Sequence, residues 1–234
     1  MSNFRFTRNE SFPPVIKNII IINVLVFVAQ LMFDRQFGLT AKLGLWPIES
    51  DNFRPYQIFT HMFTHSPQII FHILFNMLTL WMFGRVLENV WGQKRFLFFY
   101  LACGFGAALA HMGVEYFQYK EILNAINFYE ANGQPDLADA YRNAPFYAVG
   151  ASGAVMGVMV AFAFLFPNTE LFLMFIPIPI KAKWAILGFV ALDLFGGISP
   201  VPGDNVAHFA HLGGALTGFI IVLLWNKTNR RTLY

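Results

Sequence analysis

A serine and a histidine, each beside small residues in an apolar run, are the side chains here that could do chemistry. Ser152 lies in the segment 150–157, GASGAVMG, and His211 lies in the segment 210–218, AHLGGALTG. A serine hydroxyl is a weak nucleophile until a base accepts its proton, and neutral histidine suits that role near pH 7. The two residues therefore indicate nucleophilic catalysis, provided that their helices meet.

Glycines repeat every four residues beside both side chains. Gly153 and Gly157 form one such pair, and His211, Gly214 and Gly218 share one stripe of a second helix. Small residues at this spacing let two helix backbones approach closely in a membrane. Taken alone, Ser152 is best explained as a small residue that packs where two helices meet. Together with His211 at a matching depth, it is better explained as a nucleophile.

The composition is that of an integral membrane protein. Of 234 residues, 56% are hydrophobic and only 12% are charged, which lies outside the range of soluble domains. The single Cys103 is best explained by packing, so we expect no disulfide, no metal site and no organic cofactor. The net charge of +3 comes from basic residues at helix ends, and it does not indicate nucleic acid binding.

Six apolar runs predict an all-α bundle of six transmembrane helices. They cover residues 15–33, 69–86, 96–113, 149–166, 184–198 and 206–225, and all but the fifth approach the ~17–25 residues that a crossing needs. We therefore expect a cytoplasmic lead-in at 1–14, a membrane domain at 15–225 and a basic cytoplasmic tail at 226–234. The polar loops 34–68 and 114–148 would lie outside, the second with one or two short amphipathic helices.

Basic residues predict the orientation. Eleven of the sixteen Lys and Arg residues fall at the termini and in the connections after the second and fourth spans, which places both termini in the cytoplasm. Spans two, four and six then enter from the outer side. Ser152, His211, His72 and Asn76 all lie within a few residues of those outer ends, on the order of 5–10 Å deep.

The tetrahedral intermediate of acyl transfer also needs hydrogen-bond donors for its oxyanion. His72 and Asn76 are one helical turn apart and could supply a ring N–H and an amide NH₂ beside the backbone N–H of Ser152. Buried polar groups in a membrane are costly enough to indicate function. Asn76 alone could instead serve as a hydrogen-bonding contact between helices.

Three further polar residues allow two interpretations each. Asp193, in the fifth span, could orient a histidine as the third member of a triad. A carboxylate that snorkels towards water or contacts another helix is the simpler explanation. His208, one turn before His211, could be interfacial or could support the base. Glu88 at the inner end could pair with a basic loop residue or cap backbone groups.

These motifs resemble those of the rhomboid intramembrane serine proteases. The matching segments are GASG at 150–153, AHLGG at 210–214, HILFN at 72–76 and the spacing Gly84…Glu88…Gly92. The resemblance implies that Ser152 is the nucleophile, His211 the general base, and His72 and Asn76 with the Ser152 backbone the oxyanion site. It also implies a Ser–His dyad, which argues against a third member. An α/β-hydrolase elbow is excluded because position 154 is alanine.

The resemblance implies a protease that cleaves in or beside transmembrane segments of other proteins. We expect transmembrane protein substrates and the lipid bilayer as partners, and a multi-pass location in a bacterial cytoplasmic (inner) membrane; the oligomeric state stays open. The short fifth span and its loop 196–204, with Gly196, Gly197 and Gly203 as hinges, are the expected gate. The alternatives are a non-catalytic rhomboid-like binder or chaperone and, less favoured because the polar groups cluster near one face, a small transporter.

Overall fold

The structure, a computed structural model, describes residues 10–144, 146–172, 178–199 and 206–228, and these residues are mostly helical. The helices are α1 Pro14–Phe37, α2 Leu39–Leu43, α3 Gln57–Thr60, α4 Ile70–Thr79, α5 Arg85–Trp91, α6 Gln93–Ala131, α7 Pro135–Asn143, α8 Ser152–Leu165, α9 Ala182–Ile198 and α10 His208–Thr228. A 3₁₀ turn, His61–Phe63, follows α3, and a π-helical turn, Leu80–Gly84, joins α4 to α5. Two short strands, β1 Glu170–Leu171 and β2 Ile180–Lys181, pair antiparallel.

Four of the helices in the described residues are long and apolar enough to cross a membrane. They are Pro14–Phe37, the continuous Ile70–Trp91, Gln93–Ala131 and His208–Lys227. The apolar α8 has only 14 residues, about 21 Å at 1.5 Å per residue, against a hydrocarbon core of about 30 Å. The chain is a helical membrane protein, as its composition predicts, and the count of six spans stays a prediction.

The polar stretch 114–148, expected as an outer loop with one or two short amphipathic helices, is mostly helical, and its first half continues the helix of the third predicted span. Helix α6 continues without interruption to Ala131 and ends before Gly133, whose φ of 68° stops it. The short α7 then folds back, with Arg142 hydrogen-bonded to Glu130 and Asp139. The rise in polarity after residue 113 marks a change in the surroundings of the helix and not its end, because no residue there breaks a helix.

Glycines build the contact between α6, α8 and α10 at the centre of the bundle. A Cβ on Gly157 of α8 would lie 2.8 Å from the Gly214 carbonyl oxygen, and one on Gly218 of α10 would lie 2.7 Å from that of Gly157. The neighbouring Gly213 turns the other way, where a Cβ would lie 2.7 Å from Gly106 O of α6. The predicted small-residue contact between α8 and α10 is therefore confirmed, and α10 uses two adjacent glycines to touch two helices.

Two buried glutamines tie the segment between α1 and α4 to the bundle. Gln30 of α1 donates to the His65 carbonyl at 2.7 Å and accepts from the His65 N–H at 3.1 Å. Gln57, 1% exposed, accepts from Arg54 N–H and donates to the Lys42 and Asn52 carbonyls. These bonds hold the segment that leads to the candidate site in one position.

The other end of the bundle is closed by Glu88. Its carboxylate accepts hydrogen bonds from the Val15 and Ile16 N–H groups at 2.9 and 2.8 Å. Because Pro14 at the start of α1 has no N–H, these two groups are the first donors of that helix. Of the two sequence interpretations of Glu88, the capping of backbone groups is the one that the structure shows.

Replacing Glu88 with alanine is expected to lower the free energy of unfolding by about 1–3 kcal/mol, because two helix N–H groups lose a charged acceptor that is 2% exposed. Thermal unfolding in detergent measures the loss. Glu121→Ala, at an exposed position of α6, is the matched control and should unfold like the wild type. Equal unfolding temperatures for Glu88→Ala and Glu121→Ala would contradict the capping role.

Candidate active site

The side chains of Ser152 and His211 meet at one end of the bundle. Ser152 Oγ donates to His211 Nε2 across 2.7 Å, although the residues are 59 positions apart. Ser152 is the first residue of α8, and His211 lies in the first turn of α10. The same two helices are in close glycine contact further along their length. We call this end, defined by Ser152, His211 and His72, the serine end.

The backbone before Ser152 is shaped for close approach. Gly150 has a φ of 136°, which favours glycine, and its N–H donates to the His61 carbonyl at 3.0 Å. Helix α8 begins at Ser152, three residues later than predicted. The N–H of Ser152 therefore belongs to the first turn of a helix, where backbone donors lack intrahelical partners and carry partial positive charge.

His72 lies directly against this turn. A Cβ on Gly150 would lie 2.8 Å from His72 Nε2, so only glycine leaves room for the imidazole. His72 Nδ1 faces the Ser66 N–H at a long 3.5 Å, and a ring nitrogen that accepts there leaves the proton on Nε2. In that tautomer, His72 presents an N–H donor towards Gly150 and Ser152.

His65 packs behind His72. The two rings are edge-on, with centroids 5.0 Å apart. Burial, with a smaller contribution from His72, lowers the pKa of His65 to about 3. His65 is therefore neutral at physiological pH and adds no positive charge beside His72.

Asn76 is 7% exposed and lies one turn after His72 on α4. Its amide Nδ2 donates to the His72 carbonyl oxygen at 2.9 Å, within its own helix. An amide nitrogen carries two hydrogens, so this bond leaves a second N–H.

Asp193 of α9 contacts both histidines of α10. Its Oδ1 lies 2.9 Å from His211 Nδ1 and 2.9 Å from His208 Nδ1. The sequence favours snorkelling or helix contact for Asp193. The structure shows a contact between helices α9 and α10 and no snorkelling, and the orienting role of Asp193 stays a prediction. The signal available in the sequence was an acid a few residues from the end of its helix, at a depth similar to that of His211.

Two of the expected hinge glycines lie at a contact between helices. Gly196 and Gly197 are in α9, and a Cβ on them would approach His208 Cε1 at 2.5 Å and Phe209 at 3.1 Å. They are close-packing positions between α9 and α10, and their role as hinges stays a prediction. Residues 200–204 of the predicted gate loop, which include Gly203, lie outside the described residues.

The hydrogen bonds at the serine end are consistent with one tautomer of His211. A carboxylate accepts hydrogen bonds and does not donate them, so Asp193 places the His211 proton on Nδ1 and leaves the Nε2 lone pair for the Ser152 hydroxyl. Within the described residues, no group of three His, Cys, Asp or Glu is arranged to hold a metal ion. The fold and the site together define a helical membrane protein with a serine and histidine pair inside the bundle.

The chain belongs to the rhomboid family. The family model described as the Rhomboid domain matches residues 52–227, which include all four candidate residues. This match confirms the family that the sequence motifs indicate.

Three relatives show the range of this similarity. The chain is 32% identical to "RHOMBOID-like protein 12, mitochondrial" of Arabidopsis thaliana over 88% of this chain and 56% of the relative. It is 30% identical to "Presenilin-associated rhomboid-like protein, mitochondrial" of Homo sapiens over 70% and 38%. It is 28% identical to "Rhomboid protease AarA" of Providencia stuartii over 66% and 50%.

The chain spans less than two thirds of the length of each of these relatives. Two of the three are mitochondrial by name, which does not favour the expected location in a bacterial inner membrane. An integral, multi-pass membrane location fits both the relatives and the apolar helices.

Proposed function

We propose that the protein is an intramembrane serine protease that hydrolyses peptide bonds in or beside transmembrane segments of other proteins. The observation that carries the proposal is the 2.7 Å hydrogen bond between Ser152 Oγ and His211 Nε2, made between two separate helices. A serine that only packs at a small-residue interface can satisfy its hydroxyl by donating a hydrogen bond to a backbone carbonyl of its own helix. The similarity to a protein named as a rhomboid protease supports the same conclusion.

The proposed mechanism begins with the transfer of a proton from Ser152 to His211. His211 Nε2 takes the Ser152 proton as Oγ attacks the scissile carbonyl carbon, and the carbonyl oxygen becomes an oxyanion. The donors proposed for that oxyanion are the Ser152 backbone N–H, the His72 Nε2–H and the second amide N–H of Asn76. The intermediate collapses when His211 protonates the leaving amine, which leaves an acyl ester on Ser152. Water, deprotonated by His211, then releases the second product and restores the serine.

The geometry also constrains the substrate. Ser152 lies at the start of a helix of about 21 Å, so its hydroxyl is recessed relative to a full crossing. A peptide bond within an intact helix is shielded by its own hydrogen bonds, so the substrate segment must unwind locally to present a carbonyl. We propose that water and the substrate reach Ser152 from the serine end, which the predicted orientation places on the outer side.

Purified protein incubated with a single-span test substrate provides the direct test. We expect two fragments whose masses place the cut within or beside the apolar segment. A fluorophosphonate, which reacts with activated serines, should label the protein at Ser152 alone. Binding of the test substrate with neither cleavage nor labelling would contradict the proposal and favour the non-catalytic binder.

Replacing Asn76 with alanine is expected to lower kcat by about 10–10³-fold with a smaller change in KM, because an amide donor near the oxyanion acts mainly in the transition state. Steady-state cleavage kinetics measure both constants. Asn23→Ala is the matched control, since the fully buried Asn23 makes the same amide bond, to the Ile19 carbonyl, within α1. A pure KM effect in Asn76→Ala would assign Asn76 to substrate binding instead.

A further inference from the structure

One oxygen of Asp193 holds two histidines. The Nδ1 atoms of His208 and His211 both lie 2.9 Å from Asp193 Oδ1, and the two histidines are three residues apart on one face of α10. The side chains of Asp193 and His211 are only 10% and 16% exposed. Asp193 thus makes a buried bridge from α9 to the residue proposed as the general base.

Asp193 lies on the inward face of helix α9. Leu192 and Leu194, on either side of Asp193, are 67% and 49% exposed, whereas Asp193 is 8% exposed. Ile186, two turns earlier on the same face, is 2% exposed and packs in the core. A snorkelling acid would turn towards water, so the inward position requires the partners that the histidines provide.

We propose that Asp193 is a positioning residue for His211, an inference that rests on the proposed function. Its carboxylate fixes both the rotation of the imidazole and the tautomer that leaves Nε2 free to accept the Ser152 proton. It also stabilises the imidazolium that forms while His211 holds that proton. His208, one turn before, holds the carboxylate from the other side. The proton transfer itself stays between Ser152 of α8 and His211 of α10, the pair that the family resemblance implies, and Asp193 of α9 acts on it through His211.

The test compares Asp193→Asn and Asp193→Ala with Ile186→Ala. The asparagine keeps the shape, but its NH₂ can donate to Nδ1 and so holds the tautomer with the proton on Nε2, which cannot accept from Ser152. We expect both Asp193 variants to lose about 10²–10⁴-fold in kcat and in the rate of fluorophosphonate labelling, with KM within about threefold. Labelling needs no transmembrane substrate, and each rate is expressed per folded protein as determined by thermal unfolding.

Ile186→Ala controls for loosened packing of α9, because Ile186 lies on the buried face of that helix, two turns before Asp193. It should unfold at a lower temperature while its labelling rate stays within about twofold of the wild type. Wild-type rates in both Asp193 variants would overturn the positioning role, as would equal losses in Ile186→Ala. A wild-type protein that neither cleaves nor labels would instead overturn the proposed function, and this inference with it.

Discussion

Ser152→Ala and His211→Ala are each expected to lower the cleavage rate by about 10⁴–10⁶-fold. Alanine at 152 removes the attacking oxygen, and alanine at 211 removes the atom that accepts its proton across 2.7 Å. The double variant should lose no more than either single variant, because the two side chains act as one unit and fail together. Cleavage of a single-span test substrate, followed over a range of substrate concentrations, measures the rates.

The matched control is Ser50→Ala, which removes a buried hydroxyl far along the chain that accepts from the Asn52 N–H. It should cleave at the wild-type rate. Ser152→Ala and Ser50→Ala should unfold within a few degrees of the wild type, since one hydrogen bond contributes only about 0.5–1.5 kcal/mol. His211→Ala also removes a partner of the buried Asp193, so its rate is expressed per folded protein. Cleavage retained by purified Ser152→Ala would remove this serine from the mechanism.

Gly214→Leu is expected to lower both activity and stability. A Cβ at this position would collide with the Gly153 carbonyl of α8, so α10 must move away. The hydrogen bond from Ser152 to His211 tolerates only about 2.6–3.2 Å, and a displacement on the order of 1 Å costs about 10²-fold in rate. Overpacking at a tight contact costs about 1–3 kcal/mol or more. Cleavage rate and thermal unfolding in detergent measure the two effects.

Gly188→Leu is the matched control for this substitution. Gly188 lies in α9, and a Cβ there would meet no atom within 4 Å among the described residues. The variant should keep both the wild-type activity and the wild-type stability. If Gly214→Leu also kept them, the contact between Gly214 and Gly153 would not set the separation of the two side chains.

The sequence alone determined the class of protein and the pair of residues proposed for the chemistry. Hydrophobic composition and apolar runs are local properties, so they predict a helical membrane protein without any knowledge of packing. The depth of Ser152, His211 and His72 could also be predicted, because it depends only on the direction of each span and on the rise per residue. The glycine spacing predicted which helix faces meet, since small residues mark close contacts in membranes.

The end of α6 and the exact start of α8 could not be read from the sequence in this way. A change from apolar to polar residues marks where a helix leaves the membrane, and it resembles a helix end when no tertiary structure is known. The start of α8 at Ser152 depends on the turn at Gly150, whose N–H is held by the His61 carbonyl from a distant segment.

Only the tertiary structure showed which groups Asp193 and Glu88 contact. Each is an acid in an apolar helix, and the sequence is compatible with an exposed or a paired side chain. Their partners are His208 and His211 for Asp193 and the first N–H groups of α1 for Glu88. Such pairings depend on how each helix is rotated about its axis. That rotation is set by contacts between helices far apart in the chain, and no local pattern of residues records it.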